Sequence, residues 1–274
     1  MKGPVTTLQI DRVEAGVLHN TDDLLVTEEP LEIRLGFGPL EDRREVRLSV
    51  TMRTPGNDEE LVQGFLFTEG ITTTPHDVIR IVLCEAVKPE ERGNVIRAEL
   101  RPEVDLDPTR WHRNFYTTSS CGVCGKSSIE AVQSQCRTSV PEWGALDGPL
   151  LSSLPERMRT AQTVFRHTGG IHAAALFDGT GDLLLLREDV GRHNAVDKVI
   201  GAALNGHHSA HRCMLLVSGR AGFELVQKCV MAGFPLMAAV GAPSSLAVEL
   251  ARASGLTLIG FLRDDRYNIY ADGE

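Results

Sequence analysis

The chain has no apolar run long enough to cross a bilayer. Residues 1–14 are polar and carry acids, without the apolar core of a secretory signal. Cysteine is sparse, six in 274 residues and irregularly spaced, which argues against a disulfide framework and for reduced thiols in a cytoplasmic setting. Basic residues are outnumbered, 28 Lys and Arg against 37 Asp and Glu, for a net charge of −9. That balance argues against general nucleic-acid binding, so any phosphate site must be local. No internal repeat or low-complexity tract is present. What remains is an ordinary globular composition, 42% hydrophobic and 24% charged, with length for one large domain or two modest ones.

The densest chemistry lies in Ser119-Ser120-Cys121-Gly122-Val123-Cys124-Gly125-Lys126. Cys121 and Cys124 are spaced so that both sulfurs can face one point, and the glycines leave the backbone open to close approach. Lys126 and a helix expected over 127–134, with Ser127 and Glu130 as a capping box, add positive potential that favours thiolates. Spacing alone leaves three chemistries open. Half of a zinc site needs a second pair, and Cys84, Cys136, Cys213 and Cys229 are isolated. A dithiol redox couple ordinarily sits at a strand-to-helix junction of a thioredoxin-like unit, a pattern these flanks do not give. The third is a sulfur carrier, one thiolate holding a sulfane sulfur while the other helps release it. Two purely structural thiols are the bland alternative, disfavoured because such cysteines rarely need flanking glycines.

Residues 31–106 read as strand-rich, with strands at 31–35, 46–50 and 95–100. A helix running to residue 68 takes Asn57 or Asp58 as its cap and buries Leu61, Val62, Phe65 and Leu66. Residues 102–108 read as a connector. From residue 151 the texture changes to a helix (153–164), paired strands (172–177 and 183–186) joined by a turn over 178–182, then alternating helices (192–204, 223–232, 245–253) and strands (214–217, 236–240, 256–261). The expected class is α/β, α+β overall: a strand-rich N-terminal domain over 1–108, a thiol-bearing connector over 109–150, and a three-layer α/β/α domain over 151–274.

Four strand-to-helix junctions in the second half collect polar and small residues: Arg187-Glu188-Asp189-Val190-Gly191-Arg192-His193-Asn194, Ser218-Gly219-Arg220-Ala221-Gly222, Gly241-Ala242-Pro243-Ser244-Ser245, and Gly260-Phe261-Leu262-Arg263-Asp264-Asp265-Arg266. Carboxyl ends of parallel strands line one crevice where ligands bind. Helix N-termini there offer N–H groups to anions, and arginine grips phosphate through two bonds. Asp189, Asp264 or Asp265 can accept the adjacent donors of a guanine edge. The expectation is a phosphate-bearing ligand. His193 and Asp197, one turn apart, can share a helix face as a relay or ligand contact, or else serve as ordinary surface groups. His167 and His172 flank Gly169-Gly170 at the crevice mouth, and Arg53 precedes a turn either as a ligand contact or as a solvated side chain.

Taken jointly, these segments resemble the formate dehydrogenase accessory sulfurtransferase family, FdhD/NarQ. The resemblance is carried by Cys121-Gly122-Val123-Cys124-Gly125, residues 187–198, Ser218-Gly219-Arg220, residues 241–250, Arg53-Thr54-Pro55-Gly56, Thr68-Glu69-Gly70 and His167-Thr168-Gly169-Gly170-Ile171-His172. It extends over residues 33–270. It implies a sulfurtransferase that takes sulfur from a cysteine desulfurase as a persulfide on Cys121, with Cys124 as companion. The sulfur goes to the molybdenum (or tungsten) cofactor carrying two pterin guanine dinucleotides, held as substrate, before formate dehydrogenase receives it. It further implies a guanine dinucleotide bound by the second domain, with residues 261–266 in contact and guanosine diphosphate (GDP) as a partial mimic, and a cytoplasmic homodimer with neither nucleic acid nor membrane as partner.

The order of elements in the second half also resembles the cytidine deaminase fold. The zinc signature of that chemistry is missing: the helix starts read Gly191-Arg192-His193-Asn194 and Gly219-Arg220-Ala221-Gly222. The expectation is therefore the architecture without the activity. Two rivals remain at this level: a chaperone whose thiols only grip the metal of the cofactor, and a zinc-binding interaction module.

Overall fold

The computed structural model describes residues 3–104, 106, 139–206 and 208–273. Cys121, Cys124 and the helix expected over 127–134 lie outside the described residues.

The N-terminal lobe is a four-stranded sheet of β3 (Glu29–Phe37), β4 (Arg44–Arg53), β5 (Val78–Leu83) and β6 (Val95–Leu100), in the order β4-β3-β6-β5. Alternation in β3 sends Leu31, Ile33 and Leu35 to one face, where they meet Ile96, Ala98 and Leu100 of β6. Helix α1 (Asp58–Thr68) closes that face with Leu61, Val62 and Leu66. Its N-terminus differs from expectation. Asn57 sits at the cap position with φ 57° and ψ 31° and makes no side-chain cap bond. Asp58 is taken by Arg53, whose Nε and Nη2 each donate to it at 3.0 Å. Arg53 is 1% exposed, so it is neither solvated nor free for a ligand.

Ahead of this lobe, β1 (Val5–Glu14) and β2 (Val17–Val26) form a separate antiparallel ribbon. Most of its residues are exposed on both faces. With no buried face it imposes no period-two pattern, which is why it is silent in the sequence. β5 was equally silent, because a register shift between Val78 and Arg80 breaks its alternation.

The C-terminal lobe is a six-stranded sheet in the order β12-β11-β10-β9-β7-β8, made of β7 (His172–Asp178), β8 (Leu183–Asp189), β9 (Cys213–Val217), β10 (Leu236–Ala239), β11 (Thr257–Arg263) and β12 (Arg266–Asp272). β9, β10 and β11 are parallel, whereas β7 runs against both of its neighbours and β12 against β11. The sheet is therefore mixed. Because β7 reverses twice, β8 still points the same way as β9 to β11.

Both faces are covered. Helices α4 (Arg192–Asn205), α5 (Phe223–Met231) and α6 (Ser245–Ser254) pack on one, with Val196, Val199, Leu225, Val226 and Ala251 against Leu176, Leu215 and Met237. Helix α2 (Gly148–Ala161) packs on the other, with Leu151, Leu154 and Met158 against Phe177, Met214 and Ile259. The single helix expected over 153–164 is in fact two. Asp147 caps α2 by accepting from the Leu150 N–H at 3.1 Å, Pro149 suits its first turn, and the chain breaks at Gln162 before α3 (Thr163–Thr168).

The lobes meet along α1 and α4. Gly64 of α1 lies against the backbone of Asp197, and Gly201 of α4 against that of Glu60. Asp197 does not share a face with His193 as a relay. It is buried, accepting from Thr68 Oγ1 at 2.8 Å and from Lys228 at 2.9 Å.

Candidate functional site: a cleft at the carboxyl ends of the sheet

The common direction of β8, β9, β10 and β11 brings their carboxyl ends to one edge, with the start of β7 between them. A cleft of about 690 Å³ opens there. Val190, Ser218, Val240, Leu262, Arg263 and Asp264 come from the strand ends, and Ile171 and His172 from the start of β7. The opposite wall is α2 and α3, with Met158, Arg159, Gln162 and Phe165, followed by Gly169 and Gly170. The Arg159 guanidinium lies 5.0 Å from the centre of the Phe165 ring, giving that wall a flat surface.

Backbone bonds lock the loops together. Gly241 N–H donates to Gly219 at 2.9 Å, Ala221 N–H to Ala242 at 3.1 Å and Phe261 N–H to Gly241 at 3.1 Å. Gly241 has no room for a side chain, since a Cβ would sit 3.0 Å from Arg220 Cα and from the Gly219 carbonyl. Phe261 holds φ at 55°, an uncommon conformation for a bulky residue. Ser244 caps α6 by accepting from Ala247 N–H at 3.3 Å, beside bridged Pro243.

Of the residues singled out in the sequence, Ser218, Leu262, Arg263 and Asp264 line the cleft. Gly219 flanks it, with His172 3.5 Å from where its Cβ would be. Arg220 and Asp265 are exposed on the surrounding loops, and Arg266 is exposed at the start of β12. His193 sits at the start of α4 with Nε2 3.3 Å from Glu224 Oε2. His167 is exposed on α3.

Three of the singled-out residues serve the junction between lobes instead. Arg187 is clamped by Glu60, its Nη2 donating at 2.7 Å. Asp189 is fully buried and saturated: it accepts from Thr54 N–H (3.1 Å), Gly191 N–H (2.8 Å) and Asn194 Nδ2 (3.0 Å), and pairs with Lys198 at 2.7 Å. It has no oxygen to spare for a guanine edge. Asn194 is likewise committed, donating to the Met52 carbonyl at 2.7 Å and accepting from Thr51 at 3.1 Å.

Near this edge two buried nitrogens, Nε of Arg192 and Nε2 of Gln162, have no hydrogen-bond partner among the described residues. Gln162, Arg159 and Phe165 went unnoticed in the sequence. They sit on the far wall, where no motif marks them; the one local signal is the helix break at Gln162. Glu188 supports that wall from β8 by accepting from the N–H groups of Val164 and Phe165, each at 2.8 Å.

Burial, then the positive charge of Arg192 and the neighbouring His193, push the His172 imidazole below its ordinary pKa. A histidine depressed in the folded state contributes stability above its unfolded pKa of about 6.5, and that contribution is lost as pH falls toward the folded value. Urea midpoints measured between pH 8 and pH 5 should therefore fall more steeply for the wild type than for His172→Asn. Parallel curves would show that His172 is not the group responsible.

Among the described residues, no group of three or more His, Cys, Asp and Glu can hold a metal ion, and no helix is long and apolar enough to cross a membrane. Cys213 and Cys229 are free and buried, and burial raises both thiols.

Comparison with known proteins places these features in context. Residues 26–274 match the model of the FdhD/NarQ family. A protein of Streptomyces avermitilis named sulfur carrier protein FdhD is 50% identical over 268 residues, covering 96% of this chain and 92% of that one. A protein of the same name from Mycobacterium tuberculosis (strain H37Rv) is 50% identical over 260 residues, covering 90% of each. The crystal structure of a putative formate dehydrogenase accessory protein from Desulfotalea psychrophila superposes with a TM-score of 0.73 at 24% identity, covering 98% of this chain and 97% of that one. The last comparison bears on the fold alone.

Proposed function

Since this chain belongs to the FdhD/NarQ family, we propose that it is a sulfur carrier in the maturation of formate dehydrogenase, acting as a sulfurtransferase through Cys121. The observation that carries the reading is the cleft beside a family-wide sequence match. A groove of about 690 Å³ is the right size for a nucleotide-sized group, with Arg263 and Asp264 at its rim.

The substrate is the molybdenum or tungsten cofactor with two pterin guanine dinucleotides. One guanine nucleotide half seats in the cleft, against Ser218, Val240 and Leu262 at the ends of β9, β10 and β11. Arg220 and Arg263 offer guanidinium groups to the diphosphate, and Asp264 takes the acceptor role that Asp189 cannot. The C-terminal lobe serves as a deaminase-like scaffold reused for this ligand, and the thiols of Cys121 and Cys124 lie in the chain between the two lobes. The protein works as a cytoplasmic homodimer.

Sulfur moves in balanced steps. The Cys121 thiolate attacks the outer sulfur of a persulfide on a cysteine desulfurase, forming Cys121–S–SH and releasing the donor cysteine as thiolate. Cys124 thiolate then attacks the inner sulfur and expels hydrosulfide toward the metal. The sulfane sulfur is reduced, the two cysteines are oxidised to a disulfide, and a cellular dithiol resets them.

Mass spectrometry after incubation with a cysteine desulfurase and cysteine tests the first step. One added sulfur atom is expected on the Cys121 peptide of the wild type and of Cys124→Ser, and none on Cys121→Ala. A wild type that stays unmodified, or sulfur that persists on the protein after Cys121→Ala, removes the carrier role and leaves a chaperone of the cofactor.

A further inference from the structure

We infer that the β1–β2 ribbon is an arm through which two copies of this chain pair, β2 lying antiparallel to β2 of the second copy about a two-fold axis at Thr21. This names a contact of the homodimer read above and rests on that reading. The ribbon is fixed in register. Its ladder runs unbroken from Val5–Val26 to Glu14–Val17, and Ala15 and Gly16, with φ 49° and 81°, close it as a tight hairpin turn. A two-stranded ribbon alone is marginal in water, and independent stability needs three strands or more. Among the described residues β2 has β1 as its sole sheet neighbour, so its outer edge is open. Neither proline, lysine nor a bulge guards that edge, although exposed edges ordinarily carry such devices. Pairing two ribbons closes both edges and makes a four-stranded sheet.

The residues of β2 fit a second copy of themselves. An antiparallel ladder alternates two kinds of pair, so a two-fold axis must pass through one pair, and one residue must face its own copy. With Thr21 on the axis, Leu18 faces Leu24, Val17 faces Leu25, His19 faces Asp23 and Asn20 faces Asp22. Apolar meets apolar on both faces, and no carboxylate faces another. An axis at Asp22 sets that carboxylate against itself, and one at Asn20 sets Leu18 against Asp22 and Val17 against Asp23. The four residues that gain partners, Val17, Leu18, Leu24 and Leu25, are 55%, 63%, 37% and 42% exposed. Cross-strand pairs of this kind are what stabilise a sheet. The β1 edge offers less: centred on Gln9, it sets Arg12 against Thr6 and spends Val5 and Ile10, which are already half-buried.

The test uses the full-length protein, with oxidative cross-linking and analytical ultracentrifugation. Directly opposed residues of an antiparallel pair have Cα atoms about 4.5–5.5 Å apart, within the span of a disulfide. Thr21→Cys, oxidised with copper phenanthroline, should give a covalent dimer whose disulfide maps by peptide mass spectrometry to residue 21 of both copies. Gln9→Cys, at the middle of the other strand, should give no such link. Leu18→Glu/Leu24→Glu sets carboxylates opposite each other where leucines met. Its dimer dissociation constant should rise about tenfold or more. Its melting temperature should match the wild type, because neither leucine belongs to a core of the two lobes.

A wild type that dimerises while Thr21→Cys stays unlinked would overturn the assignment and leave the homodimer standing on another surface. So would Gln9→Cys linking as readily as Thr21→Cys, or a double variant that dimerises as tightly as the wild type. A wild type that sediments as a monomer at every concentration would instead remove the homodimer itself, and the paired ribbons with it.

Discussion

Asp189→Asn is expected to destabilise the protein by about 3–5 kcal/mol, the cost of leaving one member of a buried ion pair without its counter-charge. Asp189 is fully buried, and Lys198 is 1% exposed. In the variant the Lys198 ammonium keeps only the Thr54 carbonyl, 2.9 Å away. The amide must also replace a carboxylate that accepts from Thr54 and Gly191 N–H and from Asn194. Thr54 belongs to the N-terminal lobe and Gly191 to the loop entering α4, so one side chain pins both lobes and one edge of the cleft. Equilibrium urea unfolding followed by circular dichroism measures the loss. The double variant Asp189→Asn/Lys198→Met should recover part of it, because the orphaned charge is gone. A single variant within about 1 kcal/mol of wild type, or a double variant worse than the single, would show that the pair is not a keystone.

Gly64→Ala and Gly201→Ala are each expected to cost about 3 kcal/mol, at the upper end of what overpacking produces. In an exposed helix the same change would stabilise by about 1 kcal/mol, since alanine is the better helix former. Here the sign reverses. An added Cβ at Gly64 would collide with the Asp197 carbonyl, and one at Gly201 with the Glu60 carbonyl. Both obstacles are backbone, which cannot rotate away. The helices must separate, and the junction that holds Asp189 and Arg187 in place opens with them. Thermal melts of the two variants provide the check. A melting temperature at or above the wild type for either would mean that α1 and α4 do not pack as closely as their glycines imply.

Much of the fold was legible because it is governed by short-range rules. Strands β3, β6, β7, β9 and β10 announce themselves by alternation or by compact apolar runs bounded by turn residues. Helices α1, α4, α5 and α6 lie where helix starts and apolar spacing place them. The parts that went unread lack those constraints. The β1–β2 ribbon buries neither face, and β12 pairs with β11 through register shifts that disrupt its period. The antiparallel pairing of β7 with β9 was not visible either, because strand direction depends on which neighbour a strand finds.

The candidate site divides along the same line. Ser218, Leu262, Arg263 and Asp264 could be picked out because they sit at strand ends where ligands bind. Arg187, Asp189 and Asn194 have the same appearance in one dimension, yet they bond to Glu60, Thr54 and Met52 from a different lobe. A sequence shows that a residue is polar and where it lies along the chain. It does not show whether a distant segment satisfies it first.

By itself, then, the sequence determined the identity of the secondary elements, the thiol pair at Cys121 and Cys124, and the family, because these depend on residue type and spacing along one chain. Only the tertiary structure decided that β8 to β11 share a direction, that Asp189 is spent on Lys198, and that Gln162 is buried in the wall of a cleft. Each of those is set by the closest partner in space, and burial makes that choice binding, since a polar group cut off from water must find its partner within reach.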